Sequence, residues 1–210
     1  MKNFFYRLVA IIIRIILRLN GGYEINGKEN VPNEGGVLVA ANHISYLDPP
    51  FLGAVMPRRA TFMARKGLFD IPVLGWMIRN TAFPVDRERT RPSTIKETVK
   101  RLKNGELIVI FPEGRRNETG DIAEGKRGVG MIVSLSKAPV VPALIVGTDR
   151  ALKVDAKWLS RATVTVVFGE PMYYNALVPQ DDRRSSHEVY EDISKKIMTT
   201  IKEMKNRYGN

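Results

Sequence analysis

Apolar residues occur along this chain in two patterns, which predict alternating strands and helices. Continuous apolar runs, typical of buried strands, occupy residues 36–41, 82–85, 107–111, 140–146 and 163–168. Apolar positions at helical spacing, with turn or capping residues at their ends, predict helices over 49–56, 93–103, 129–136 and 186–207. This alternation predicts an α/β fold, a single domain in which a central mixed sheet is flanked by helices.

Residues 1–20 form a separate apolar segment that carries three arginines. At about 100° per helical residue, Arg7, Arg14 and Arg18 lie within about 40° of one another, as one narrow stripe beside a broad apolar surface. We expect residues 1–20 to be an amphipathic helix lying in a membrane interface, ahead of a domain at 21–210. A terminal helix packed on the core of its own domain is the alternative. Arg14 interrupts the run well before the roughly 20 apolar residues of a membrane span.

The net charge of the chain limits the classes of partner that it is expected to bind. It has 33 Lys+Arg against 22 Asp+Glu, a formal net charge of +11, which favours anionic lipid, nucleic acid or an acidic substrate. The absence of cysteine excludes disulfides, thiolate metal sites and a cysteine acyl-enzyme. With only two histidines, a histidine-rich metal site is not expected.

A histidine and an aspartate follow the first predicted strand. His43 and Asp48 stand where that strand gives way to a helix, which is where ligands bind in open α/β sheets. Histidine is suited to removing a proton from an alcohol, and a nearby carboxylate would orient its ring. Asp48 is also a plausible helix N-cap. The same spacing recurs at His187 and Asp192, but within a predicted helix, where positions five apart point about 140° away from each other. We therefore expect His187 to be solvated.

A second polar motif, with the sequence FPEGRR at 111–116, follows another predicted strand. Arg115 and Arg116 adjoin Gly114, and arginines beside a glycine suit a phosphate monoester that they can grip while backbone approaches. A charged surface turn is the alternative.

Together these blocks resemble the glycerolipid acyltransferase family, and most closely its lysophosphatidic acid acyltransferases. The family's four blocks stand in order as NHISYLD at 42–48, AFPVDR at 82–87, FPEGRR at 111–116 and VPALI at 141–145. Two positions depart from the family pattern: Arg115 stands where threonine is usual, and Thr81 where glycine is usual. Both departures put the fine substrate preference in doubt rather than the chemistry.

The resemblance implies a role for each matched residue. His43 would be the general base and Asp48 its orienting partner. The implied phosphate-binding residues are Arg87, Glu113, Gly114 and Arg116, with Lys126 as an additional basic contact. The residues at 21–210 would then be an acyltransferase catalytic domain, on a peripheral or monotopic protein at the cytoplasmic face of the cell membrane.

The reaction implied is transfer of a fatty acyl group from acyl-CoA or acyl carrier protein to the hydroxyl of 1-acylglycerol-3-phosphate, giving phosphatidic acid. No metal and no bound cofactor is implied. One alternative keeps the chemistry but changes the acceptor, to glycerol 3-phosphate or a lyso-aminolipid. Another is a non-enzymatic basic protein that binds membranes or nucleic acid. We expect no nucleic-acid partner, because such sites interleave aromatic and exposed basic residues.

The sequence leaves three interpretations open for residues 68–78. The segment is rich in large apolar residues and flanked by Arg65, Lys66 and Arg79. It suits a second membrane contact, part of an acyl-chain tunnel, or a buried core helix.

Overall fold

The computed structural model describes residues 2–85, 92–117, 121–156 and 158–209, with residues 2 and 3 as backbone. Within these residues one sheet contains seven strands, in the order β1-β7-β6-β2-β5-β3-β4. The strands are β1 Tyr23–Asn26, β2 Val37–Ala41, β3 Ala60–Arg65, β4 Ala82–Val85, β5 Leu107–Ile110, β6 Val140–Val146 and β7 Val164–Phe168.

Helices connect these strands and cover both faces of the sheet. In the described part of the chain the α-helices are α1 Lys2–Leu19, α2 Asp48–Val55, α3 Pro72–Ile78, α4 Pro92–Lys103, α5 Gly128–Ser136, α6 Thr148–Ala151, α7 Tyr174–Leu177 and α8 Ser186–Tyr208. Two short 3-10 turns cover Lys28–Asn30 and Lys66–Asp70. A capping box fixes the start of α8, in which the Ser185 side chain and the Glu188 side chain each bond the backbone of the other residue.

The sheet is mixed, as the sequence predicted. β2 is parallel to both β5 and β6, and β3 is parallel to both β5 and β4. β7 runs antiparallel to β6 and pairs in parallel with β1 at the sheet edge. The carboxyl ends of β2 to β6 therefore meet at one edge, and the two polar motifs leave the sheet there.

Two apolar layers explain why the strands read as continuous apolar runs. Alternate residues of β2 point to opposite faces, so Leu38 packs in the layer under α4, α5 and α8, and Val39 in the layer under α1 and α2. Both residues are fully buried. A sheet covered on both faces leaves no polar face to interrupt its strands.

The structure adds two strands to those predicted and excludes one interpretation of residues 68–78. β1 and β3 were missed, because YEIN has no fully buried residue and ATFMAR buries only Ala60 and Phe62, so neither contains a long apolar run. Residues 68–78 are not a buried core helix, since Gly75 is the one buried residue of α3 and Val73 and Trp76 are 72% and 59% exposed. The residues of α3 therefore present apolar side chains outward.

The N-terminal helix packs on the domain with one face. Ala10 and Leu17 are buried, and the Tyr6 hydroxyl donates to the Gly53 carbonyl (2.7 Å) and accepts from the Ala60 N–H (3.3 Å). Burial raises the pKa of Tyr6, with the Ala60 bond acting in the opposite direction.

The outer face of α1 stays uncovered by the described residues. Its exposed apolar side chains are Phe4, Leu8, Ile11, Ile12, Ile15, Ile16 and Leu19. Among the described residues, no helix is long and apolar enough to cross a membrane.

Candidate active site

His43 and Asp48 form a buried pair at the carboxyl edge of the sheet. Nδ1 of His43 lies 2.8 Å from Oδ2 of Asp48, and the two side chains are 6% and 0% exposed. An ionised carboxylate can only accept hydrogen bonds, so a neutral His43 carries its proton on Nδ1. Nε2 is then the nitrogen with a lone pair to offer a substrate hydroxyl.

The Asp48 carboxylate is held from several sides. Oδ2 also accepts the backbone N–H groups of Ile44 and Ser45, each at 2.8 Å, and Oδ1 accepts the hydroxyl of Thr148 at 2.5 Å. Asp48 is thus not the N-cap that the sequence suggested: α2 begins at Asp48 itself, with Leu47 in the cap position. Its side chain turns back toward the preceding loop, because the loop offers two N–H donors there.

The second motif is bonded directly to the backbone of His43. The His43 N–H donates to Oε1 of Glu113 at 3.0 Å, and the His43 carbonyl accepts the Asn117 N–H at 2.7 Å. Oε2 of the buried Glu113 accepts the Ala123 N–H at 3.2 Å. Glu113 therefore ties together three chain segments, and the Phe111 ring stacks on the His43 imidazole at 4.1 Å between centroids.

The arginine and glycine of the second motif lie around this pair. The guanidinium carbon of Arg116 sits 4.0 Å from the ring centre of Tyr46, so the two motifs also meet through a cation–π contact. Gly114 has a left-handed φ of 72°, and a Cβ there would lie 2.5 Å from Cε of Lys126. The Lys126 side chain thus crosses directly over Gly114. Arg115 is exposed.

Two other positions that the sequence singled out have different outcomes. Arg87 lies outside the described residues. His187 is exposed and contacts Glu191 (3.5 Å), whereas Asp192 pairs with Arg184 (3.2 Å) and Lys196 (3.0 Å). The H-x4-D spacing on α8 does not bring its two side chains together, as expected.

Sequence reasoning missed two residues that position the site. The side-chain amide of Asn42 donates to the Ile145 carbonyl at 3.0 Å and accepts the Ile145 N–H at 2.7 Å. These two bonds fix the end of β2 to β6. Thr148, which holds Asp48, begins the short helix after β6. The fourth block, 141–145, was the available signal, because a strand beside β2 delivers its next residues to the same edge of the sheet.

An apolar cavity of about 100 Å³ opens beside the motifs, on the α4 and α5 side of the sheet. Phe111 forms part of its wall, so one ring contacts both the cavity and His43. Its apolar lining includes Met63, Val85, Ile95, Ile110, Val129 and Ile132. Gly114 and Lys126 also line it, whereas no residue of 66–78 does.

Comparison with known proteins decides the family. The sequence model of the family described as Acyltransferase matches residues 22–146. The chain belongs to the acyltransferase family. This acyltransferase is 33% identical over 206 residues to the 1-acyl-sn-glycerol-3-phosphate acyltransferase of Bacillus subtilis (strain 168), with 96% of the chain and 98% of that protein covered.

Further similarities agree with this assignment. The acyltransferase is 28% identical over 209 residues to the 1-acyl-sn-glycerol-3-phosphate acyltransferase of Streptococcus pneumoniae, covering 97% of the chain and 74% of that protein. The crystal structure of the 1-acyl-sn-glycerophosphate (LPA) acyltransferase from Thermotoga maritima matches with a TM-score of 0.70 at 23% identity, over 94% of this chain and 80% of that one. The structural likeness establishes the fold, and the family predicted from the four blocks is confirmed.

Proposed function

We propose that this acyltransferase moves a fatty acyl group from an acyl thioester to the free hydroxyl of 1-acylglycerol-3-phosphate, giving phosphatidic acid. The observation that carries the proposal is the buried His43–Asp48 pair, locked by backbone bonds to the Glu113 loop that presents Arg116. The named activity of the Bacillus subtilis and Streptococcus pneumoniae relatives supports the choice of acceptor.

In the proposed reaction His43 is the general base. Nε2 takes the proton of the acceptor hydroxyl while the hydroxyl oxygen attacks the thioester carbonyl. The tetrahedral intermediate collapses with cleavage of the C–S bond, and the imidazolium returns its proton to the leaving thiolate. Asp48 stabilises the imidazolium through Nδ1, and general-base assistance of this kind is worth roughly 10²–10⁴-fold.

The acceptor phosphate is proposed to bind at the second motif. The missing side chain of Gly114 lets the Lys126 chain cross directly over the backbone, and Arg116 lies two residues further along the same loop against Tyr46, so both basic groups are available to a phosphate bound here. Glu113 bonds two backbone N–H groups, so its proposed role is to hold the loop in place rather than to touch the phosphate. Arg87 is also proposed to contact the phosphate, and this role rests only on its place in the family's second sequence block, AFPVDR at 82–87.

The apolar cavity is the proposed site for the fatty acyl chain next to the reacting carbonyl. It begins at Phe111, the ring that stacks on His43, and continues between α4 and α5. An alkyl chain released from water there gains about 0.8 kcal/mol per buried CH₂ group.

Membrane attachment is proposed to use the outer face of α1. Seven large apolar side chains point away from the domain along this helix, and the stripe of Arg7, Arg14 and Arg18 borders them. Apolar groups would enter the interfacial region while the arginines meet anionic headgroups. We propose a peripheral or monotopic protein at the cytoplasmic face of the cell membrane.

The experiment that tests the activity measures thiol release from acyl-CoA and from acyl carrier protein, each with three acceptors. We expect turnover with 1-acylglycerol-3-phosphate, and far less with monoacylglycerol, which lacks the phosphate, and with glycerol 3-phosphate, which lacks the acyl chain. Preference for either of the other acceptors would contradict the acceptor assignment. If no combination of donor and acceptor releases thiol, the remaining interpretation is a non-enzymatic basic protein that binds membranes or nucleic acid.

A further inference from the structure

A second cationic site lies at the edge of the sheet opposite His43. A cavity of about 500 Å³ opens where β3, β4 and β5 begin. We call it the arginine pocket; its polar lining consists of Arg58, Arg59, Thr61, Arg79, Asn80, Arg101 and Glu106. Four guanidinium groups thus line one cavity at the amino ends of these strands, whereas the proposed catalytic groups follow the carboxyl ends.

One of the four arginines has its charge balanced by carboxylates. Arg101 donates to Glu97 at 2.7 Å and pairs with Glu106 at 3.2 Å. The hydroxyl of Thr61 also donates to Glu106, at 3.0 Å. Glu106, the one carboxylate among the described residues that line the pocket, is therefore already engaged.

The other three arginines make no ion pair within the described residues. Arg58 donates to the carbonyl oxygens of Gly105 (2.9 Å) and Gly35 (2.5 Å), and Arg59 donates to that of Asn80. Carbonyl groups orient a guanidinium but carry no charge to balance it. Burial lowers the pKa of Arg58, with the charge of Glu34 acting in the opposite direction. Three like charges without an ion pair around one cavity favour a bound anion.

The surroundings of the arginine pocket indicate where that anion comes from. Beside Arg59, the Ala60 N–H bonds the Tyr6 hydroxyl of α1, and the Phe5 ring of α1 packs against Trp76 of α3 at 5.0 Å. Arg79 directly follows α3, whose Val73 and Trp76 are largely exposed. The pocket thus adjoins an exposed apolar surface built jointly by α1 and α3.

We propose that the arginine pocket binds the phosphate group of an anionic lipid headgroup while the adjoining surface of α1 and α3 lies in the membrane interface. Arginine side chains suit this ligand because their planar forks grip phosphate oxygens bidentately. The inference rests in part on the proposed membrane attachment, but it concerns a lipid other than the substrate, at the edge remote from His43. It also gives residues 66–79 a role, as the second membrane contact.

Two other anionic partners fit the site less well. A nucleotide base needs an aromatic ring on which to stack, and none of the described residues that line the pocket has an aromatic side chain. An acidic carrier protein docked here would hold its thioester at the edge of the sheet opposite His43. A headgroup needs neither a stacking ring nor access to the catalytic pair.

The experiment compares the full-length wild type with two double variants of the exposed residues, Arg59→Gln/Arg79→Gln and Arg59→Lys/Arg79→Lys. A matched control, Arg183→Gln/Arg207→Gln, removes the same charge from exposed positions at and before α8, on the other side of the sheet. Co-sedimentation uses phosphatidylcholine vesicles containing either phosphatidylglycerol or oleate at equal surface charge. Thermal unfolding and thiol release with a short-chain acceptor verify that each variant is folded and active.

We expect the wild type to prefer phosphatidylglycerol over oleate, because only the former offers a phosphate. The Gln variant should lose about 30-fold in affinity for phosphatidylglycerol vesicles, and the control severalfold less. The Lys variant keeps its charge but loses the bidentate fork, so it should lose the preference while still binding both vesicles. Inorganic phosphate at constant ionic strength should compete only weakly.

Four results would overturn the proposal. Equal losses in the Gln variant and its control would reduce the pocket to part of a diffuse basic surface, with membrane attachment intact. An unchanged preference in the Lys variant would exclude a phosphate fork. Strong competition by millimolar phosphate would assign the pocket to a soluble phosphate. Failure of the wild type to bind any vesicle would remove the membrane attachment as well, whatever the thiol assay shows.

Discussion

The hydroxyl of Thr148 donates a hydrogen bond to Oδ1 of Asp48 across 100 residues of sequence, at 2.5 Å, with both residues fully buried. Oδ2 of the same carboxylate lies within hydrogen-bond distance of Nδ1 of His43 and accepts two backbone N–H groups. Each oxygen is thus fixed by partners on different parts of the chain. This arrangement orients the carboxylate, and through it the imidazole, before any substrate arrives.

Replacing Thr148 with valine should test that orientation. Valine has nearly the same shape, so the main loss is one hydrogen bond to a buried carboxylate oxygen, a cost of about 1–3 kcal/mol. We expect a lower melting temperature and a fall in kcat of about tenfold, with KM for both substrates nearly unchanged. Thr148→Ser retains the hydroxyl and should recover most of kcat. An equal loss in both variants would indicate packing rather than orientation.

The proposed base can be tested against an internal control. His43→Ala should lower kcat by two to four orders of magnitude, since general-base assistance is worth about that much. His187 has the same sequence spacing to an aspartate but is exposed on α8, so His187→Ala should leave activity nearly unchanged. Steady-state thiol release and circular dichroism on both variants provide the measurement. Similar losses in the two would contradict the assignment of His43.

Adjacent arginines provide a matched pair for the proposed phosphate contact. Arg116 is half-buried against Tyr46, whereas Arg115 is exposed. Arg116→Ala should reduce kcat/KM for 1-acylglycerol-3-phosphate by about 10- to 150-fold, because a charge-assisted contact is worth roughly 1.5–3 kcal/mol. Arg115→Ala removes the same formal charge and should cost much less.

Monoacylglycerol, which lacks the phosphate, separates binding from structure. Its residual turnover should hardly change in Arg116→Ala. If both acceptors lose equally, the contact between Arg116 and Tyr46 supports the loop rather than the substrate.

The strands were predictable from the sequence where burial is complete on both faces. β2, β5, β6 and β7 consist almost entirely of apolar residues, and their predicted bounds differ by one residue at most. β3 was not predictable in this way, because only Ala60 and Phe62 are buried and no continuous apolar run marks the strand. Position in the sheet does not decide the outcome, since the edge strand β4 was predicted at 82–85, whereas the partly exposed edge strand β1 was missed.

The site was predictable to the extent that its residues are contiguous in sequence. His43 and Asp48 lie only five residues apart, in the loop after β2 and at the first residue of α2, and their pairing was expected from the family resemblance. The bonds from Glu113 to His43 and from Thr148 to Asp48 cross 70 and 100 residues. They depend on the strand order that places β5 and β6 on either side of β2. No spacing rule encodes that order.

The arginine stripe of α1 provides the last prediction. About 40° of the helix surface holds Arg7, Arg14 and Arg18, all exposed, at one border of the outer apolar face. Each arginine near an anionic surface contributes roughly 1 kcal/mol, so replacing all three with glutamine should weaken binding to anionic vesicles about 100-fold at low salt. The apolar face remains, and the residual binding should depend less on salt than that of the wild type.

Three exposed basic residues of α8, Lys195, Lys202 and Arg207, give a control of equal charge on the opposite side of the domain. Their replacement by glutamine should cost far less vesicle binding, because a face pointing away from the bilayer lies beyond about one Debye length of 8–10 Å. Turnover of a short-chain acceptor should be unchanged in both variants, since the proposed catalytic residues begin at His43. Vesicle co-sedimentation across a salt series is the measurement. If the α1 variant binds as tightly as the α8 control, the outer face of α1 meets protein rather than lipid.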